Sequence, residues 1–236
     1  MCGRFILTAS PDVLADMLDV QMAPAMAAWQ PRYNIAPTQP VLAFRRNTTS
    51  QGHEATRLTW GLVPSWSKDP QIASRLINAR SETAASKPSF RGAFRHRRCV
   101  IAADGYYEWQ REGKEKTPFC IRRRDRSIFA IAGLWEHWQD PDGSVIESCA
   151  LLTTTPNGVM APIHDRMPVI LDNQDVRVWI NGDGRQLEGL HALLRPAADD
   201  VLEAFPVDGS VGNSANDGPE CCLPVRLVGQ QGLPGV

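Results

Sequence analysis

The chain has 236 residues, 43% of them hydrophobic and 22% charged. That length can bury a real core without disulfide or metal staples, and the composition is that of neither a disordered nor a fibrous chain. With 25 Lys and Arg against 26 Asp and Glu, the formal net charge of -1 excludes a histone-like binder held by bulk charge but leaves room for a local basic groove.

The start, Met1-Cys2-Gly3-Arg4-Phe5, lacks the apolar run of about 7–15 residues that a secretory signal needs. No stretch nears the ~20 apolar residues of a membrane span, so a soluble, cytoplasmic protein is expected, nucleoid-associated if it binds DNA; a monomer is expected as well. Residues 10–18 predict a helix: Ser10 can cap it, Pro11 suits its first position and Asp12 its positive end. Val13, Leu14, Met17 and Leu18 make its apolar face. Segments 32–38 and 60–66 read as loops that mix aromatics with Gly and Pro.

Strand-like runs lie near 41–45, 57–62, 98–102, 105–109, 118–123, 128–133, 148–153 and 168–171. Asp104-Gly105, Glu112-Gly113 and Asp142-Gly143 supply turns between them. Helical patterns lie near 78–85, 173–181, 186–194 and 198–204. Grouped strands with helices between and after them predict an α+β fold. Its core would be a mostly antiparallel β-sheet forming an open, barrel-like body flanked by several helices. One domain is expected over 1–228, with a last strand-like run at 223–227 and a loose tail at 229–236.

Of the six cysteines, Cys99, Cys120, Cys149, Cys221 and Cys222 read mostly as small core hydrophobes. No Cys-x-x-Cys pair is present, and the spacing favours neither zinc nor another cofactor.

Cys2 differs. If the initiator Met is removed, Cys2 becomes the first residue and carries an amine and a thiol on adjacent carbons. An aldehyde can condense with the amine, and the thiol can then close a five-membered ring intramolecularly. Strand alternation puts Tyr106, Glu108 and Gln110 on one face and Tyr107 with Trp109 on the other. Glu108, flanked by aromatics, is a candidate acid/base, or simply a half-exposed strand residue. His164, in Ile163-His164-Asp165-Arg166, is a candidate proton shuttle or a surface-loop residue. Arg80 can grip a phosphate or carboxylate, with Asn78 either beside it in a site or capping a helix. Trp66 can stack on a base or fill a core. The basic runs Arg91–Arg98 and Arg122–Arg126 can line a phosphate track or form solvated faces.

Six spaced motifs together resemble one family. Met1-Cys2-Gly3-Arg4-Phe5, Arg32-Tyr33-Asn34-Ile35-Ala36-Pro37, Trp60-Gly61-Leu62-Val63-Pro64, Asn78-Ala79-Arg80-Ser81-Glu82-Thr83, Asp104-Gly105-Tyr106-Tyr107-Glu108-Trp109 and His164-Asp165-Arg166-Met167-Pro168 stand in the order of the SOS response-associated peptidase (SRAP) proteins. The resemblance spans residue 2 to about 225. It implies a protein that senses abasic sites in single-stranded DNA, with Cys2 forming a thiazolidine crosslink that shields the lesion. It also implies a catalytic set of Cys2, Asn78, Glu108 and His164, and a DNA-binding set of Arg4, Asn34, Pro37, Trp66, Arg80 and Thr153. Tyr106-Tyr107 departs from the Trp-containing pair often found before the Glu. Alternatives are a cysteine-type (auto)peptidase whose substrate is its own Met1, and a non-covalent reader of single-stranded or modified DNA. If the DNA reading holds, the arginines should gather around Cys2.

Overall fold

The computed structural model describes residues 2–18, 24–47 and 52–226, without the side chains of Met17 and Leu18. The strands are β1 (Arg4–Leu7), β2 (Arg32–Ile35), β3 (Pro40–Arg46), β4 (His53–Trp60), β5 (Asn78–Arg80), β6 (Arg98–Ala103) and β7 (Gly105–Glu112). They continue with β8 (Glu115–Arg123), β9 (Phe129–Gln139), β10 (Val145–Thr154), β11 (Met167–Pro168), β12 (Ile170–Leu171) and β13 (Leu202–Pro206). The helices are α1 (Pro11–Leu18), α2 (Pro24–Ala27), α3 (Ser81–Ala84), α4 (Arg91–His96), α5 (Asn173–Asn181) and α6 (Leu187–Ala192).

The α+β class and the largely antiparallel pairing agree with the sequence. The barrel, expected to be open, is closed. The order β10-β4-β3-β6-β9 returns to β10 because β9 and β10 pair from Val145↔Gln139 to Leu151↔Gly133. The runs 128–133 and 148–153 are only the apolar halves of these strands. Their outer halves carry polar residues such as His137, Gln139 and Glu147, and they meet in a turn where Gly143 takes φ 93°. Ring closure removes the strand edges that an open sheet would expose.

A second sheet, in the order β13-β8-β7-β1-β2, lies across the barrel. Its alternation sorts side chains between two cores. Phe5, Leu7, Ile35, Tyr106, Ile121 and Leu202 join the main core, while Ile6, Tyr107, Cys120, Val207, Val211 and Cys221 form a smaller one under the C-terminal segment. The split predicted between Tyr106 and Tyr107 is therefore the split between the two cores.

Several local expectations change. Residues 78–80 are strand β5, parallel to β10 through Leu151↔Asn78 and Thr153↔Arg80, so the helix at 78–85 shrinks to α3 and Asn78 caps nothing. Residues 202–206 are a strand, not the end of a helix at 198–204, because a short apolar run fits either period and pairing with β8 decides it. Residues 32–35 are strand β2 rather than loop. In α1, Pro11 opens the helix and Leu14 is buried, but Val13 is 48% exposed. At 223–226 only a Val207↔Pro224 bridge forms, and the expected tail at 229–236 lies outside the described residues. Cys99, Cys120, Cys149 and Cys221 are buried free thiols, as small core residues would be.

Gly61 takes φ 131°, and a Cβ there would lie 2.7 Å from the Ala73 oxygen. The Trp60-Gly61 turn therefore requires glycine.

Candidate active site

Cys2 sits just ahead of β1, fully buried, with its sulfur 4.0 Å from the Arg4 oxygen. Asn78, at the start of β5, donates from Nδ2 to the Cys2 carbonyl oxygen at 2.8 Å. The Asn78 Oδ1 and the Tyr106 hydroxyl are buried with no hydrogen-bond partner among the described residues. Burial pushes the Cys2 thiol well above its ordinary range, and the charge of nearby Glu108 pushes it further.

Glu108 lies in β7 and is buried. Its Oε1 is 3.9 Å from Nε2 of His164, an electrostatic contact too long for a hydrogen bond. The His164 loop is built as one helical turn, with Asn157 Oδ1 accepting from Met160 N at 3.0 Å and Met160 O accepting from His164 N at 2.9 Å. Gln110 anchors the loop to β7 by donating to Pro162 O at 3.0 Å. The Arg166 amide donates to His164 Nδ1 at 3.0 Å. In a neutral ring that leaves the proton on Nε2, toward Glu108. The Asp165 carboxylate lies 2.9 Å from the same Nδ1.

Sequence reasoning left Arg166 and Glu82 without roles. Arg166 is buried and makes a bidentate pair with Glu82 at 2.7 and 2.9 Å, and it donates to Thr153 O at 2.6 Å. It ties the histidine loop to α3 and β10. Its hydrogen bonds are the main cause holding the Glu82 carboxyl below the usual range.

The expected DNA-binding residues separate. Arg80 is exposed at the end of β5 with no ion pair among the described residues. Trp66 is 59% exposed, on a groove with Lys68 and Arg75 that shares no lining residue with the Glu108–His164 cleft. Pro37 is half-buried. Asn34 and Thr153 are buried and have no side-chain surface for a strand to meet. Asn34 Nδ2 instead reaches the carbonyls of Val211, Asn213 and Asn216 at 2.7–3.1 Å. Arg4 donates to Asn34 Oδ1, Val211 O and Gly212 O at 2.8–3.0 Å. Both residues hold the 211–216 loop, whose Gly212 walls the cleft.

That cleft has a volume of about 370 Å³ and is lined by Glu108, Trp109, Arg111, Lys116, His164 and Gly212. No His, Cys, Asp and Glu grouping among the described residues is arranged to hold a metal ion. No described helix is long and apolar enough to cross a membrane.

The sequence profile of the SOS response associated peptidase (SRAP) family matches residues 1–214. The chain belongs to the SRAP family. Among SRAP relatives, the abasic site processing protein YoqW of Bacillus subtilis (strain 168) is 38% identical over 93% of this chain and 98% of its own length. The abasic site processing protein HMCES of Xenopus tropicalis is 30% identical over 98% of this chain and 81% of its own. A crystal structure of a protein from Bacteroides thetaiotaomicron superimposes with a TM-score of 0.85 at 25% identity, covering 95% of this chain and all of that one. The SRAP membership supports handling of abasic sites in DNA.

Proposed function

We propose that this protein, once residue 1 is removed, captures the ring-opened aldehyde of an abasic deoxyribose in single-stranded DNA as a thiazolidine at Cys2. The reading is carried by one juxtaposition: Asn78 holds the Cys2 carbonyl, and Glu108, itself 3.9 Å from His164, is close enough to bear on the Cys2 thiol.

The raised thiol orders the steps. A protonated, buried sulfur is a poor first nucleophile, so the amine attacks C1′ of the aldehyde and gives a carbinolamine. Proton transfer to the carbinolamine hydroxyl releases water and leaves an imine. Glu108 and His164 are the groups beside it that can supply and recover that proton. Sγ then adds to the imine carbon, Glu108 accepts the thiol proton, and the imine nitrogen is reprotonated. The balance is one aldehyde plus one amine-thiol giving one thiazolidine and one water. Buried walls exclude competing water, and the ring closes within one residue.

Glu108→Gln tests the assignment. Crosslinking to an abasic single strand should slow by about 10²–10⁴-fold, the usual range for a positioned acid/base, while affinity for the intact strand stays within a few fold. Equal losses in both would make Glu108 a structural residue and overturn its role.

A further inference from the structure

Around the turn after β7, the register pairs Arg111 with Lys116 and Glu112 with Glu115. Neighbouring strand residues point to opposite faces, so the hairpin sorts its charge: two cations on one side, two carboxylates on the other. Arg111 and Lys116 are exposed, and neither side chain has a hydrogen bond or ion pair among the described residues. Like charges set directly opposite each other repel, which an anion between them would relieve.

Much of the more obvious basic runs is already engaged. Arg97 pairs with Glu136, Arg122 and Arg126 with Glu203, and Arg123 with Asp125. Arg98 is buried and donates to the carbonyls of Phe94, Arg95 and Trp179 at 2.7–2.8 Å, and to Gly182, at the ends of α4 and α5. Arg111 and Lys116, by contrast, both line the Glu108–His164 cleft.

We propose that Arg111 and Lys116 form a phosphate seat for the strand next to the nucleotide held at Cys2. The seat rests on the DNA reading above. Arg111 stands three residues, roughly 10 Å, along β7 from Glu108; alternation turns it to the Trp109 side of the strand, yet it lines the same cleft as Glu108 and His164. Lys116 meets it from β8, so the two cations can grip one phosphate or two successive ones.

The test measures binding of the full chain to a fluorescent undamaged single-stranded oligonucleotide against salt concentration, alongside crosslinking to the abasic version. In R111Q/K116Q the slope of log K against log salt should become shallower by about 0.7 per phosphate released, and affinity at 0.1 M salt should fall by about 5- to 20-fold. R111K/K116R, which keeps both charges, should keep the slope. E112Q/E115Q, which share the Glu108 face but do not line the cleft, should leave slope and crosslinking unchanged. A melting temperature at or above wild type in R111Q/K116Q, expected on removing a repelling exposed pair, separates lost binding from unfolding. An unchanged slope in R111Q/K116Q would overturn the seat, as would an equal loss in E112Q/E115Q. A wild-type chain that shows the slope difference but never crosslinks would overturn the covalent reading and leave the seat standing. A wild-type chain that neither binds nor crosslinks would overturn both.

Discussion

The amide nitrogen of Asn78 and the carbonyl oxygen of Cys2 are joined by a 2.8 Å hydrogen bond that ties the first turn of chain to strand β5. The bond fixes where the reacting residue sits relative to β10, because β5 is itself held in parallel register against Leu151–Thr153. Asn78→Ala should therefore slow crosslinking by roughly 10–100-fold, the equivalent of ~1–3 kcal/mol for an orphaned buried carbonyl. Asn78→Asp should be no better, since a carboxylate cannot donate to the Cys2 carbonyl. Single-turnover rates on abasic single strands check this; a rate within twofold of wild type in Asn78→Ala would contradict it.

Arg166→Lys should destabilise the protein by about 1–3 kcal/mol, because an ammonium cannot reproduce the bidentate contact with Glu82 while also reaching Thr153. Urea unfolding measures the loss. The Glu82 carboxyl lies below its usual range in the folded state, so its contribution is present above the unfolded carboxyl pKa and is lost as pH falls through the folded one. Glu82 is exposed enough for solvent to screen much of that contribution. The deficit of Arg166→Lys should accordingly shrink in acid.

Tyr106→Phe makes the opposite kind of prediction. The hydroxyl is buried without a partner among the described residues, so deleting it removes a desolvation penalty. The melting temperature should hold or rise, by up to about 1 kcal/mol in stability terms. A clear fall would mean that the hydroxyl has a hydrogen-bond partner in solution.

Alkaline pH should weaken the fold. Burial raises the thiols of Cys2, Cys99, Cys120 and Cys149 in the folded state. Above the ordinary thiol pKa of ~8.5, the unfolded chain releases these protons while the folded chain keeps them, so stability falls as pH rises. Each thiol contributes a slope of about 1 kcal/mol per pH unit. Cys149→Ala should flatten the fall between pH 9 and 10 by one proton's share, read from thermal melts across that range.

Local periodicity made part of this molecule legible. The alternation in Tyr106–Gln110 assigned each side chain to its face, and the β7–β8 turn at Glu112-Gly113 fixes the register that sets Arg111 against Lys116. Juxtapositions across long sequence separations were not readable from spacing. Cys2, Asn78, Glu108 and His164 meet only through the pairing of β1 with β7 and of β5 with β10, and only the family resemblance grouped them beforehand. Burial was equally opaque. Asn34, in a family motif, and Thr153, in the strand before the histidine loop, are expected to contact DNA, yet both are enclosed. Whether the Arg122–Arg126 run lines a phosphate track or a solvated face is not decided by spacing, and Glu203 and Asp125 pair with Arg122, Arg123 and Arg126. The charge balance that argued against bulk attraction is compatible with a cleft whose few cations remain unpaired.

The central claim is covalent chemistry at the amine and thiol of Cys2, and peptide mass spectrometry after incubation with abasic single-stranded DNA tests it most directly. The account predicts a complex that survives denaturation without a reducing trap, mapped to a peptide beginning at Cys2 and heavier by the sugar adduct less one water. In Cys2→Ser, which keeps the amine but loses the thiol, only a borohydride-trapped imine should remain. An adduct on a lysine, or an undiminished adduct on a chain that still begins with Met1, would contradict it.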